Sequence, residues 1–211
     1  MTIASLLAFI GIGLGGAGTL IYGAHTWQRK NKPRVASWLA WAVTNTVFAW
    51  LAYSHEAYWA AAFSASAATL NYSVLIICVV RRRGSFQGID AVCLAAVAVC
   101  LLLVTTSAND LTLAWVSVVA NLIATAPTFH NAWRHARRET WHLFGANALA
   151  NLLGVLCAGG FDDFAKIAGP LVGMSANIAL TSIILWRRWE IQYHTISATA
   201  ALHIANTVSE M

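Results

Sequence analysis

The sequence predicts an all-α integral membrane protein of seven transmembrane helices, with two parallel triple-helix bundles joined by a linker helix. Three observations predict it. Apolar residues make up 59% of the chain and charged residues only 10%, a balance far from that of soluble domains. The apolar residues fall into seven runs, each close to the roughly 20 residues that cross a ~30 Å hydrocarbon slab. Of the thirteen Lys and Arg, all but Lys166 sit in alternate inter-run segments or after the last run, so they share one side of a seven-span protein. The positive-inside rule makes that side cytoplasmic, with the N-terminus outside and the C-terminus inside a bacterial-type inner membrane.

The first run, 2–24, lacks a basic leader and a small-residue cleavage site, and is expected to stay as a helix. Its glycines, Gly11, Gly13, Gly15, Gly16 and Gly18, suit close packing or bending. Arg29, Lys30, Lys32 and Arg34 follow it. The second run, 35–53, is introduced by "RVASW" (Arg34 to Trp38), which offers a headgroup arginine, a hydroxyl free to cap the helix and an interfacial indole. It carries Trp41, Thr44, Asn45 and Trp50. The third run, 57–80, contains Asn71 ten residues before Arg81, which opens the arginine triplet ending at Arg83. The fourth, 88–106, is almost without polar residues beyond Asp90 and suits a linker.

The fifth run, 111–130, holds Asn121 midway and Pro127 near its end; Arg134, Arg137 and Arg138 follow it. The sixth, 140–159, opens with "RRETW" (Arg137 to Trp141), repeating Arg-x-x-[Ser/Thr]-Trp, and carries Asn147 and Asn151 on one helical face. The seventh, 164–186, places Asn177 ten residues before Arg187, as Asn71 stands before Arg81. The remaining 189–211 is a cytoplasmic tail, interfacial helix or disordered. Trp27, Trp38, Trp133, Trp141, Trp186 and Trp189 suit an aromatic belt. Cys78, Cys93, Cys100 and Cys157 form no C-x-x-C pair and read as packing residues.

These marks divide the chain into a first repeat (1–84), the linker (85–108), a second repeat (109–188) and the tail. An odd number of spans would invert the second repeat, and the linker restores its direction, so the halves are parallel. Ten residues at about 1.5 Å each put Asn71 and Asn177 roughly 15 Å from the arginines, near the centre of the slab. With Thr44, Asn45, Asn121, Asn147 and Asn151 they form a ring of neutral donors and acceptors where transporter sites lie. The alternative for each amide is an interhelical hydrogen bond that only holds helices together. Trp41 and Trp50 could stack on a solute or serve as interface or core residues.

"APTFHNAWRHARRETW" (Ala126 to Trp141), together with the parallel triple-helix plan, resembles the repeat signature of the SWEET and PQ-loop superfamily, with Pro127-Thr128 where Pro-Gln is usual. The resemblance spans residues 1 to about 188 and implies transport of a sugar, vitamin-like compound or other small solute by rocking of two halves. By position it implies a hinge at Pro127 and a substrate site at Asn71 and Asn177. The first repeat departs from it, having "YGAHTW" (Tyr22 to Trp27) without a proline.

Other functions compete. A receptor or sensor of the same plan would bind without transporting. "FDDFAKIAG" (Phe161 to Gly169) resembles the lysine segment of a microbial rhodopsin, but Lys166 falls near the outer end of the last run and the third carries no carboxylate counter-ion. Enzymatic chemistry is not expected, because Glu56, Asp90, Asp110, Glu139, Asp162 and Asp163 lie at run ends or in loops. His130, His135 and His142 do not have zinc-ligand spacing, and no metal or cofactor is expected. The net charge of +5 points to anionic lipid headgroups rather than nucleic acid. Homo-oligomerisation is left open, as is the identity of the solute. The absence of acids within the runs favours a facilitator over proton coupling.

Overall fold

A computed structural model describes residues 2–82, 84–106, 109–158 and 163–209, with backbone alone at 104–105 and 196–209. Arg83, Gly159 and Asp162 lie outside the described residues. Within them the chain is helical, with seven α-helices and a 3-10 turn: α1 (Ile3–Trp27), α2 (Val35–Ser54), α3 (Tyr58–Val80), α4 (Gly88–Thr106), α5 (Asp110–His135), the turn Ala136–Arg138, α6 (Trp141–Cys157) and α7 (Phe164–Ser209). Five of them, α1, α2, α3, α5 and α7, are long and apolar enough to cross a membrane, and α4 and α6 contain shorter apolar stretches.

Helix ends follow local chemistry. Thr2 caps α1 by accepting from the Ser5 amide, and Asn109 caps α5 by accepting from Leu111 and Thr112. After α1, α2 and α3 the chain turns through Arg29, Glu56 and Arg82 with φ of 62°, 60° and 49°, left-handed geometry that no glycine supplies here. Two helices outrun their expected ends. α5 passes through Pro127 to His135, because a proline removes one donor without ending a helix supported by its neighbours. The tail expected beyond 188 is no separate element: α7 runs on to Ser209.

α3 packs against both α1 and α2, and α7 against both α5 and α6. Across the middle α1 faces α6 and α2 faces α5, while α4 lies against α5 and touches α2. Two arginine–tryptophan contacts recur at equal spacing. Arg81 at the end of α3 donates to the Trp27 carbonyl at 3.3 Å and lies over that indole at 4.3 Å. Arg187 in α7 donates to the Trp133 carbonyl at 3.1 Å and lies over its indole at 5.1 Å. Both pairs are 54 residues apart; the first binds the end of α1 to the end of α3, the second the end of α5 to α7.

The two Arg-x-x-[Ser/Thr]-Trp motifs differ from expectation. Arg34 is not at the surface: it is 3% exposed and donates to Asp90 at 3.2 Å and to Gln87 at 3.0 Å, tying α2 to α4. A buried guanidinium needs this partner, since an unpaired charge there is strongly unfavourable. Neither Ser37 nor Thr140 caps its helix. Trp38 leaves the expected aromatic belt for the core, packed against Tyr22 with ring centres 5.0 Å apart, whereas Trp27, Trp133, Trp186 and Trp189 are exposed. Cys78, Cys93 and Cys157 are buried, and all four cysteines are free.

Candidate functional site

Asn71 sits in the middle of α3, where the depth expected of a membrane-crossing helix obliges its amide to find either a partner or water. It faces a cavity enclosed by α1, α2, α3, α5, α6 and α7. The carboxamides Asn45, Asn71, Asn121, Asn147, Asn151 and Asn177 all line it, with Trp41, Thr19 and Thr125, and no lining residue is charged. Seven of the eight side chains singled out in the sequence therefore meet on one wall system. Thr44 does not line the cavity.

The cavity has two bounded ends. Toward the basic end, Tyr22, Trp38, Val74, Leu143, Phe144, Leu180 and Ile184 form a buried apolar layer to which α1, α2, α3, α6 and α7 all contribute. Toward the opposite end stand Phe63, in contact with Gly11 and Gly154, and Phe48, in contact with Gly169; a methyl at Gly154 or Gly169 would overlap a phenyl ring at 2.9 or 2.7 Å. The space between has a volume of about 80 Å³, room for a few waters.

Hydrogen bonds divide the amides into two kinds. Asn121 bonds across helices: its Nδ2 donates to the Thr44 hydroxyl at 3.1 Å, which donates to the Ala40 carbonyl at 2.9 Å. Nearby, the Trp41 indole N–H donates to the Thr125 hydroxyl at 3.0 Å, which donates to the Asn121 carbonyl at 2.8 Å. These bonds fasten α2 to α5. By contrast Asn45, Asn151 and Asn177 donate to carbonyls one turn back in their own helices, those of Trp41, Asn147 and Gly173, at 2.7 to 2.8 Å. Their amide oxygens stay free of helix partners. Asn71 and Asn147 have no side-chain hydrogen bond among the described residues and are half-buried on the cavity wall. Interhelical bonding thus accounts for Asn121 and Trp41 but not for the other five amides.

Pro127 is buried within α5, and α7 contains a second proline, Pro170, against which Gly154 packs. Thr19 and Thr125, both absent from the sequence-based set, lie on equivalent turns of α1 and α5. They share the separation that relates Asn71 to Asn177, and that shared interval is the signal by which they could have been found.

Two polar clusters lie at the ends. At the end opposite the arginines, His55 after α2 meets Asp163 at 2.8 Å through Nδ1 and Asp110 at 3.2 Å through Nε2, and Lys166 pairs with Asp163 at 3.6 Å. Burial pushes the Asp163 carboxyl up, but the His55 hydrogen bond and charge, the Ala165 amide and Lys166 outweigh this and hold it below its ordinary value. At the basic end Glu139 is 3% exposed, its Oε1 accepting from Asn131 and its Oε2 unpartnered. Burial pushes its carboxyl up to about 7, against the opposing Asn131 bond and the Arg34 and Arg188 charges. Among the described residues no group of His, Cys, Asp and Glu is placed to hold a metal ion. Compared with family models, with curated proteins and with solved structures, the chain matches none.

Proposed function

We propose that the chain is a membrane transporter, a facilitator that carries a small neutral polar solute by alternating access around the central cavity. The observation that carries this reading is the convergence of carboxamides from α2, α3, α6 and α7 on an uncharged cavity, five of them without a bond to another helix. Such amides are costly in an apolar setting unless water or a ligand meets them. The paired Arg–Trp contacts support two parallel three-helix halves with α4 as linker, the plan that the resemblance to the SWEET and PQ-loop superfamily implies. On this plan α4 and α6 also span, and α6, with 17 residues, is at the short limit of a crossing helix.

The cavity volume supports a rocking motion. About 80 Å³ is below the roughly 300–1,000 Å³ of small-molecule sites, so a sugar or vitamin-like solute enters only when the halves part. The apolar layer at the basic end is the closure that must open inward. The His55 contacts with Asp110 and Asp163 join α2 to the second half at the other end, where the solute arrives.

The test is uptake by the purified full chain in proteoliposomes across sugars, nucleosides and amino-acid-like compounds, with melting temperature measured in parallel. Asn71→Ala and Asn177→Ala are expected to lower uptake about fivefold or more, each removing a ligand contact of about 1–3 kcal/mol, with little change in melting temperature. Binding without uptake would favour a receptor instead. Unchanged uptake in both variants and in the double variant, for every solute the native chain carries, would remove the asparagine pair from the site.

A further inference from the structure

The two walls that meet between the halves are built from equivalent positions but are not equally complete. Trp27 corresponds to Trp133 by the contacts each makes with its arginine, and Trp38 to Trp141 by the shared motif. On that correspondence Gly15 in α1 takes the place of Asn121 in α5, and Asn147 in α6 the place of Thr44 in α2. Thr19 takes the place of Thr125, and Phe144 that of Trp41. The positions also meet in space. Asn121 reaches Thr44 at 3.1 Å, and a methyl built on Gly15 would lie 3.4 Å from Asn147 Oδ1.

On the α2–α5 wall every one of these polar groups has a partner. On the α1–α6 wall none does. Phe144 has no N–H to offer Thr19, which is 5% exposed, lines the cavity and has no hydrogen-bond partner among the described residues. Gly15 has no amide to offer Asn147, whose carboxamide is likewise unbonded there. The gap beside Gly15 admits a methyl in ordinary contact with Asn147 and Ala150, and it borders the cavity. On the α2–α5 wall the occupant of the equivalent place is itself a carboxamide, set between a hydroxyl and the cavity.

We infer that the α1–α6 wall is a binding subsite for a neutral carboxamide, which lies beside Gly15 and bonds to Asn147 and Thr19. The solute then sits off the pseudo-axis, against one wall, rather than midway between Asn71 and Asn177. A free carboxamide carries a donor and an acceptor side by side, as Asn147 does, so the two can pair through two hydrogen bonds. A carboxylate or ammonium in the same place would meet no counter-charge, since no charged side chain lines the cavity. The ligand enters when the cavity of about 80 Å³ opens, as under the proposed function; the inference rests on the transporter reading for that opening and for the crossing of the solute, and binding is measured apart from uptake.

The experiment uses the purified full chain in detergent with benzamide, N,N-dimethylbenzamide and benzoate as probes, each read by its effect on melting temperature. Benzamide is expected to raise the melting temperature of the native chain, and the dimethyl compound and benzoate are not. Gly15→Asn, which supplies the missing amide from the protein, is expected to weaken benzamide about tenfold or more, as is Asn147→Ala. Gly15→Ala guards against misfolding of the larger variant. Its methyl would make ordinary contacts of 3.4 Å with Asn147 and 3.5 Å with Ala150, so it folds and still narrows the gap. Benzamide that leaves the native chain unaffected, or binds Gly15→Asn and Gly15→Ala as tightly as the native chain, overturns the subsite. Uptake is scored separately in proteoliposomes. Benzamide binding as described, without uptake of any solute, sinks the transporter reading and leaves the subsite standing. Benzamide binding and uptake both unchanged in the Gly15 variants, with uptake lost in Asn71→Ala, do the reverse.

Discussion

Asn121 and Asn71 are the same residue in different surroundings, and the difference lies in what each amide touches. Asn121 is buried and donates to Thr44, and its carbonyl receives the Thr125 hydroxyl, so it belongs to the joint between α2 and α5. Asn71 has no side-chain hydrogen bond among the described residues and lines the cavity. Truncating Asn121 to alanine therefore costs stability, about 0.5–1.5 kcal/mol, because the Thr44 hydroxyl loses a donor while keeping its bond to Ala40. The expected result is a lower melting temperature for Asn121→Ala with or without solute, where Asn71→Ala melts as the native chain does. Equal melting temperatures for Asn121→Ala and the native chain would contradict the division.

At the scale of elements, the segment between α5 and α6 buries a carboxyl that sequence position alone puts in a loop. Glu139 sits against Asn131 with one oxygen unpartnered, and its carboxyl is pushed up to about 7 from an ordinary 4.5. The folded protein thus binds a proton that the unfolded chain releases. Stability from this group is full below about pH 4.5, falls as pH rises, and is lost above about pH 7, a change on the order of 3 kcal/mol. Melting temperature in detergent should decline across that window, and Glu139→Gln, which keeps a carbonyl for Asn131, should flatten the decline. A native profile that is level or rises with pH over the window rules this out. Asp163 works in the opposite sense: held low by His55 and Lys166, it adds stability at neutral pH that disappears only in acid.

At the scale of the whole molecule, the arginine-rich ends of α1, α3, α5 and the middle of α7 gather at one end, and His55, Asp110, Asp163 and Lys166 at the other. The insertion bias gives the expectation that the basic end faces the cytoplasm. Reporter fusions after Lys32, after Arg137 and at the C-terminus are expected to report from the cytoplasm, and a fusion after Glu56 from outside. A C-terminal reporter on the outer side would contradict seven spans. The residues of α7 beyond Arg188 continue the helix that holds Asn177, and the proposed orientation has them project into the cytoplasm.

The helical class, the order of seven apolar helices and most of their boundaries were legible in the sequence, because hydrophobic runs and charge are properties of contiguous residues. The equal spacing of Asn71 and Asn177 before their arginines likewise marked two side chains that reach one cavity, since helical rise turns sequence distance into depth. Depth says nothing of direction around the helix axis, and there only tertiary structure decided. It turned Thr44 away from the cavity toward Asn121, and drew Arg34, Trp38 and Glu139 from their expected surface into the interior. It also set Gly15 opposite Asn147 and left Thr19 without a hydrogen-bond partner among the described residues. Those outcomes depend on which face of one helix meets which face of another, and residues more than a hundred positions apart fix that only once the halves have packed.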